Sequence, residues 1–207
     1  MPRRKLSIVF GVLLLLALAS SVTARDELKI QREANELFSQ GVAEYEKENY
    51  EAAIKKFEEC LAKDPTNAHA EFNIGVIYND LGETDKALDA YRKVLALDPH
   101  YADAYFNVGR IMHLRKDFAA AAENYEKAMA ESEGRYAPDV LFNYAHALME
   151  SGRVNEAVDA WHRYITIAEP IPEEAKWVER AKEYVKTLEG LQGEKPDVPE
   201  PQPEKGK

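Results

Sequence analysis

The sequence predicts an all-α fold, an α-solenoid of about four helical hairpins closed by one further helix at its C-terminal side. Three observations predict it. Residue classes recur every 34 residues: Gly41, Tyr45, Ala53 and Phe57 are answered by Gly75, Tyr78, Ala87 and Tyr91, and then by Gly109, Met112, Ala121 and Tyr125. A fixed period of that length marks stacked supersecondary units. Turn residues fall midway through the units, at Asn49-Tyr50, Gly82-Glu83 and Gly152-Arg153, where the two helices of a hairpin must reverse. Asp64-Pro65 and Asp98-Pro99 close the first two units, because proline disfavours helical geometry in the residue before it.

Taken in order, residues 1–24 read as a secretory signal: a basic start at Arg3, Arg4 and Lys5, an apolar run from Leu6 to Ala19, and Val22-Thr23-Ala24 as the cleavage site. The alternative is an uncleaved membrane anchor, but a full span needs about 20 apolar residues and Ser20 and Ser21 interrupt the run. No cysteine ends it, which argues against a lipoprotein. With the signal removed, 24 Lys and Arg face 37 Asp and Glu, a balance of −13. Such a surface suits neither nucleic acid nor anionic lipid headgroups. Residues 25–33 are charged and helix-favouring and extend the first helix backward, with Asp26 as a candidate cap.

The units then run 34–67, 68–101, 102–135 and 138–171, the last after two extra residues, Tyr136 and Ala137. The third lacks the closing Asp-Pro, and the fourth has Ala145 where the others have glycine. A glycine inside a helix costs about 1 kcal/mol against alanine, so Gly41, Gly75 and Gly109 need a packing reason. The expectation is that each faces Ala53, Ala87 or Ala121 on the second helix, letting two backbones approach, while the aromatics fill the gap between one hairpin and the next. The single cysteine, Cys60, shares its position with Val94, Ala128 and Tyr164 and reads as a small core residue. No disulfide, CxxC pair or haem-attachment motif is available to one cysteine.

Residues 172–190 begin with a helix-start signature at Pro172 and carry Trp177, Val178, Ala181, Tyr184, Val185 and Leu188 on one stripe. This is the helix expected to cover the last apolar face of the stack. Its polar outer side argues against end-to-end self-association. Residues 191–207, with Pro196, Pro199, Pro201 and Pro203 among charges, have too little apolar content to fold and read as a tether.

The unit Ala68 to Tyr101 resembles a tetratricopeptide repeat, whose signature sets a Leu-Gly or small residue, Tyr, Ala, an aromatic and a closing Pro at these spacings. The resemblance extends from Ala34 to about Ala168 and, with the signal, suggests an exported bacterial member. It implies a right-handed solenoid with a helix-turn-helix per repeat and a concave groove. In that family the groove is lined by the second, fifth, sixth, ninth, twelfth and thirteenth positions of each unit. Here the fifth is Phe38, Phe72, Phe106 and Phe142, and the sixth is Asn73, Asn107 and Asn143 after Ser39 in the first unit.

An asparagine column offers donors and acceptors to the backbone of an extended peptide without reading its side chains; alternatively the amides order local helix packing. The phenylalanine bodies are expected to pack, with exposed edges as docking surface. Asp80, Asp103, Asp139 and Glu150 surround them, countered by Arg110, His113 and His146, so the groove is expected to favour an uncharged or basic segment. The lysine-lined subtype that grips a C-terminal carboxylate is disfavoured by the four phenylalanines.

The partner implied is therefore a protein or peptide segment, another envelope protein. No catalytic residue, metal ligand set or cofactor motif is identified: His113 and His146 can approach, with Asp103 or Asp139 as further ligands, but their spacing matches no metal-binding motif. Three readings stay open. The first is a non-enzymatic periplasmic scaffold of the bacterial envelope serving assembly of a complex; the second is an inner-membrane-anchored assembly factor with an uncleaved start; the third is a metal-binding or enzymatic accessory protein.

Overall fold

The computed structural model describes residues 3–132 and 138–193, with side chains from 25 to 132 and from 138 to 190. Cleavage after Ala24 and the character of the 194–207 tail lie outside those side chains and residues. Among the described residues every regular element is a helix. The chain divides after Ala104 into two compact units.

The first unit holds α1 (Arg3–Glu46), α2 (Tyr50–Lys63), α3 (Ala68–Asp80) and α4 (Thr84–Leu97). These are two consecutive packed pairs, α1 with α2 and α3 with α4. Helix α1 runs unbroken through Asp26 with residues 3–24 in place. Asp64 and Asp98, extended at φ −130° and −135°, end α2 and α4 ahead of their prolines. Asn67 opens α3 by accepting a hydrogen bond from the Ala70 N–H at 2.9 Å.

α5 (Ala102–Leu114) leads into the second unit, followed by α6 (Phe118–Glu131), α7 (Pro138–Glu150) and α8 (Val154–Ala168). A 3-10 turn (Pro172–Glu174) then precedes α9 (Ala175–Gly193), which packs on α8. Asp117 caps α6, accepting from the Ala120 N–H at 3.2 Å. The closing helix runs to Gly193 and does not release the chain at Gly190. Its Val178, Ala181, Val185 and Leu188 are buried as the stripe predicts, but Trp177 is 45% exposed.

Every hairpin turns on one left-handed residue: Glu48 (φ 61°), Gly82 (74°), Lys116 (62°) and Gly152 (77°). Two backbone bonds recur at each. In the second hairpin they are Gly82 N–H to Asn79 O at 3.0 Å and Glu83 N–H to Tyr78 O at 2.8 Å. In the third, Lys116 N–H reaches His113 O and Asp117 N–H reaches Met112 O, both at 2.9 Å. This pair satisfies the last carbonyls of the first helix. The turn in the first hairpin is therefore made by Glu48, one residue before the expected Asn49-Tyr50. Asn49 instead precedes α2 and donates to the Glu44 carboxylate at 2.8 Å.

The helical glycines do not face alanines. A Cβ on Gly41 would stand 2.6 Å from Phe57 Cε1, on Gly75 2.7 Å from Tyr91 Cε1, and on Gly109 2.8 Å from Tyr125 Cδ1. The space vacated by each side chain is filled by the ring of an aromatic from the second helix of the same hairpin. Phe57, Tyr91 and Tyr125 are thus core residues within hairpins, each fully buried, not fillers between them. Ala53, Ala87 and Ala121 are buried as well. So is Cys60, and burial pushes its thiol pKa up, as a small core residue should behave.

Candidate interaction site

The fifth-position phenylalanines lie one layer above those core aromatics. Phe38 tilts on Phe57 at 5.6 Å between ring centroids, Phe72 on Tyr91 at 5.6 Å, Phe106 on Tyr125 at 5.8 Å, and Phe142 meets Trp161 edge-on at 5.0 Å. All four are half-buried: the ring body packs, and an edge stays open. In the first three units glycine at the eighth position lets the core aromatic come up beside the first helix, and the fifth-position ring then rests on it; the fourth unit keeps the ring pair with Ala145 at that position.

In the first unit the Phe72 ring is partly covered from within the chain. Tyr101 stacks on it at 5.0 Å, and the Tyr101 hydroxyl is hydrogen-bonded to His69 Nδ1 at 2.8 Å. Burial, then the nearby Asp103 and Asp98 carboxylates, push the Tyr101 phenol up to about 12. Below this, Tyr45 of α1 donates to Asp80 of α3 at 2.8 Å, which raises its phenol to about 12 as well.

The second unit keeps an open recess. A cavity of about 400 Å³ is lined by Phe106 and Arg110 of α5, Asp139, Phe142 and Asn143 of α7, Tyr164 of α8, Glu174 of the 3-10 turn and Trp177 of α9. Phe142 forms its floor, with the rings of Tyr164 at 5.3 Å and Trp177 at 5.5 Å standing edge-on to it. Tyr164 is fully buried and its hydroxyl donates to Glu174 at 2.7 Å. Burial raises its phenol pKa first, then the bond to Glu174, then the Glu174 and Asp139 charges. Two carboxylates therefore bear on one buried hydroxyl. The Arg110 guanidinium lies over the Phe106 ring at 6.0 Å.

Five residues that the sequence analysis placed in or around the groove meet in this recess: Phe106, Arg110, Asp139, Phe142 and Asn143. Tyr164, Glu174 and Trp177 were not foreseen. Trp177 and Glu174 lie beyond the last repeat, where no period could point to them. Tyr164 was placed in the core by its register with Cys60, and its size against Cys, Val and Ala at that position was the available signal.

The asparagines are engaged locally. Asn73 donates to His69 O and Asn143 to Asp139 O, both at 2.7 Å, each to the carbonyl four residues back on its own helix; Asn107 is not free either. Such back-bonding uses one N–H and fixes the side chain. The amide oxygen and second N–H of Asn73 and Asn143 remain for another acceptor or donor. The expected ladder is thus reduced in donor capacity.

His113 and His146 do approach, their rings 5.1 Å apart and tilted by 30°. Phe118 abuts His113 edge-on at 5.1 Å, and Tyr184 stands 6.2 Å from His146. The Nδ1 atom of each imidazole is buried without a hydrogen-bond partner among the described residues. Burial lowers both pKa values, reinforced at His113 by His146 and opposed at both by Glu150. They are therefore not freely titrating surface groups. Among the described residues no three His, Cys, Asp or Glu side chains are arranged to hold a metal ion, so Asp103 and Asp139 do not complete a site with the pair.

Comparison with known proteins adds the family. One tetratricopeptide repeat model matches residues 38–102 and 80–136, and a second matches 112–163. No curated protein matches the chain. Among solved structures, one crystal structure of MamA aligns with a TM-score of 0.57 at 21% identity, over 74% of this chain and 94% of that one. A second MamA structure gives 0.61 at 19% identity, over 78% and 88%. The first such domain of Spaghetti (RPAP3), bound to the HSP90 peptide SRMEEVD, gives 0.54 at 18% identity, over 59% and 95%. At these identities the likeness is one of fold. Between them the repeat models cover more than half of the sequence, and every hairpin they span is present: the chain belongs to the tetratricopeptide repeat family.

Proposed function

We propose that the protein is a non-enzymatic scaffold that binds an extended segment of another protein on the face formed by the first helices of its repeats. The observation that carries this reading is the aromatic-walled recess of the second unit, whose floor and polar groups come from the fifth, sixth and ninth positions. Rings held from below by core aromatics are fixed before binding, so the partner alone bears most of the ordering cost. That a neighbour of the same fold holds a peptide, the HSP90 segment on RPAP3, supports the binding mode without naming the ligand. The fifth-position phenylalanines leave no lysine there to grip a terminal carboxylate.

The basic start, apolar run and small residues of 1–24 place this scaffold, on our reading, in the bacterial periplasm, where it would serve assembly of an envelope complex. An anchored form with the start retained is the second reading, and the mass of the mature N-terminus decides between them. Binding is tested by placing a photo-cross-linking amino acid at Asn107 and, as control, at exposed Arg163 on α8. A discrete adduct with a native envelope protein from position 107 alone is the expected result. Equal labelling from both positions, or none from 107, would end the proposal.

A further inference from the structure

Resting on that reading, we propose that the recess of the second unit receives an arginine side chain of the bound segment, its guanidinium between Asp139 and Glu174 and its stem along Phe142 and Trp177. The argument starts from charge. Asp139 and Glu174 both line the cavity, and among the described lining residues Arg110 is the one cation, so these described groups carry one net negative charge. Arg110 is engaged with the Phe106 ring, and no ion pair holds the Asp139 carboxylate among the described residues. Glu174 is oriented by the Tyr164 hydroxyl at 2.7 Å. That bond occupies Oε2, and Oε1 is left for a second donor.

Shape and ring chemistry agree. Phe142 and Trp177 present ring surfaces, with the buried Tyr164 ring edge-on to Phe142, around about 400 Å³, a volume suited to one long side chain and its flanking backbone. Two rings of the lining, Phe106 and Trp177, already take cations from the chain itself. Arg110 lies over Phe106, and the Lys176 ammonium stands 5.6 Å from the Trp177 centroid. A guanidinium stacks on such faces and forks to carboxylates, which a compact ammonium does less well. A carboxylate side chain would meet two like charges, with only Arg110 to answer them among the described lining residues. Asn143, with its N–H donating to Asp139 O at 2.7 Å, keeps its amide oxygen for the segment's backbone.

The test titrates N-acetyl-arginine methylamide into the full chain and follows the Trp177 indole N–H by NMR, assigned with Trp177→Phe. Norleucine and glutamate methylamides serve as comparison probes. The expected result is a saturable shift with arginine alone, weakened about fivefold by Asp139→Asn and more than about tenfold when Glu174→Gln is added, as loss of charge-assisted contacts on an aromatic wall implies. Arg110→Gln, which removes the resident cation, is expected to tighten binding about threefold by relieving like-charge repulsion. Both carboxamide variants keep a hydrogen-bond acceptor, and unchanged thermal unfolding verifies their fold. A response to norleucine or glutamate equal to that of arginine, no response to arginine, or undiminished binding in the double variant overturns the inference. The cross-link from position 107 reports on segment binding independently: adducts formed there without arginine preference sink the inference and leave the scaffold standing.

Discussion

Gly109→Ala separates two effects of opposite sign. Helix propensity alone favours alanine by about 1 kcal/mol. Against this, the new methyl would stand 2.8 Å from both Cδ1 and Cε1 of Tyr125 and 3.2 Å from Cζ. Carbon pairs settle at roughly 3.5–4.0 Å, so the ring must retreat by about 1 Å. Tyr125 is fully buried and has no free rotamer to adopt; overpacking of this kind costs about 1–3 kcal/mol. The net expectation is destabilisation by about 1 kcal/mol. Urea unfolding of the variant measures it, with Gly190→Ala as control, since a Cβ there meets nothing within 4 Å and the helix preference should show undiminished. The displaced ring bears on Phe106, 5.8 Å away, so affinity for the arginine probe should fall as well. If Gly109→Ala raises the unfolding midpoint as the control does, the close packing of glycine on tyrosine is wrong.

Lys116→Gly should stabilise by about 0.5–1 kcal/mol, the relief of a left-handed side-chain-bearing residue less the entropy glycine loses on folding; a lower urea midpoint would contradict it. Tyr45→Phe removes the 2.8 Å bond to Asp80 that ties α1 to α3 and should cost about 1 kcal/mol, read by thermal unfolding with Asp80→Asn as partner in a double-mutant cycle. The His113 and His146 imidazoles have folded pKa values below the ordinary 6.5. The unfolded chain therefore takes up protons first as pH falls below that value, and stability is lost until the folded pKa is passed. Denaturation between pH 7.5 and 5 should show this loss reduced in the His113→Gln/His146→Gln variant, the pair facing Glu150, Arg180 and Tyr184 as well as each other. An unchanged slope would remove the pair from the pH response.

The hairpins were legible because their cause is repeated: Pro65 and Pro99 stop helices wherever they occur, and Gly82 and Gly152 announce left-handed turns. Glu48 and Lys116 adopt the same conformation without any compositional sign, since two backbone hydrogen bonds hold it whatever the side chain. The partner of each helical glycine was misread for a geometric reason. Spacing along one helix says where a gap opens, but which residue of the opposing helix fills it depends on their relative rotation, and Phe57, Tyr91 and Tyr125 sit one turn from the alanines expected there. At the recess, Phe106, Arg110, Asp139, Phe142 and Asn143 followed from repeat position. Trp177 and Glu174 could not, because the segment bearing them belongs to no period. The approach of His113 and His146 was foreseen from their neighbouring helices, but their burial was not, since it depends on Phe118 and Tyr184 closing around them.

Because Trp177 and Glu174 arrive on the segment that also seals α8, recognition at this end of the array is separable from repeat count. A further hairpin spliced in ahead of α5 would lengthen the array and leave the arginine station as it is. A truncation after Ala168 would strip the station and bare the apolar side of α8 in one cut, so loss of binding in such a fragment could not be told from aggregation. Point changes confined to the two carboxylates keep those outcomes apart.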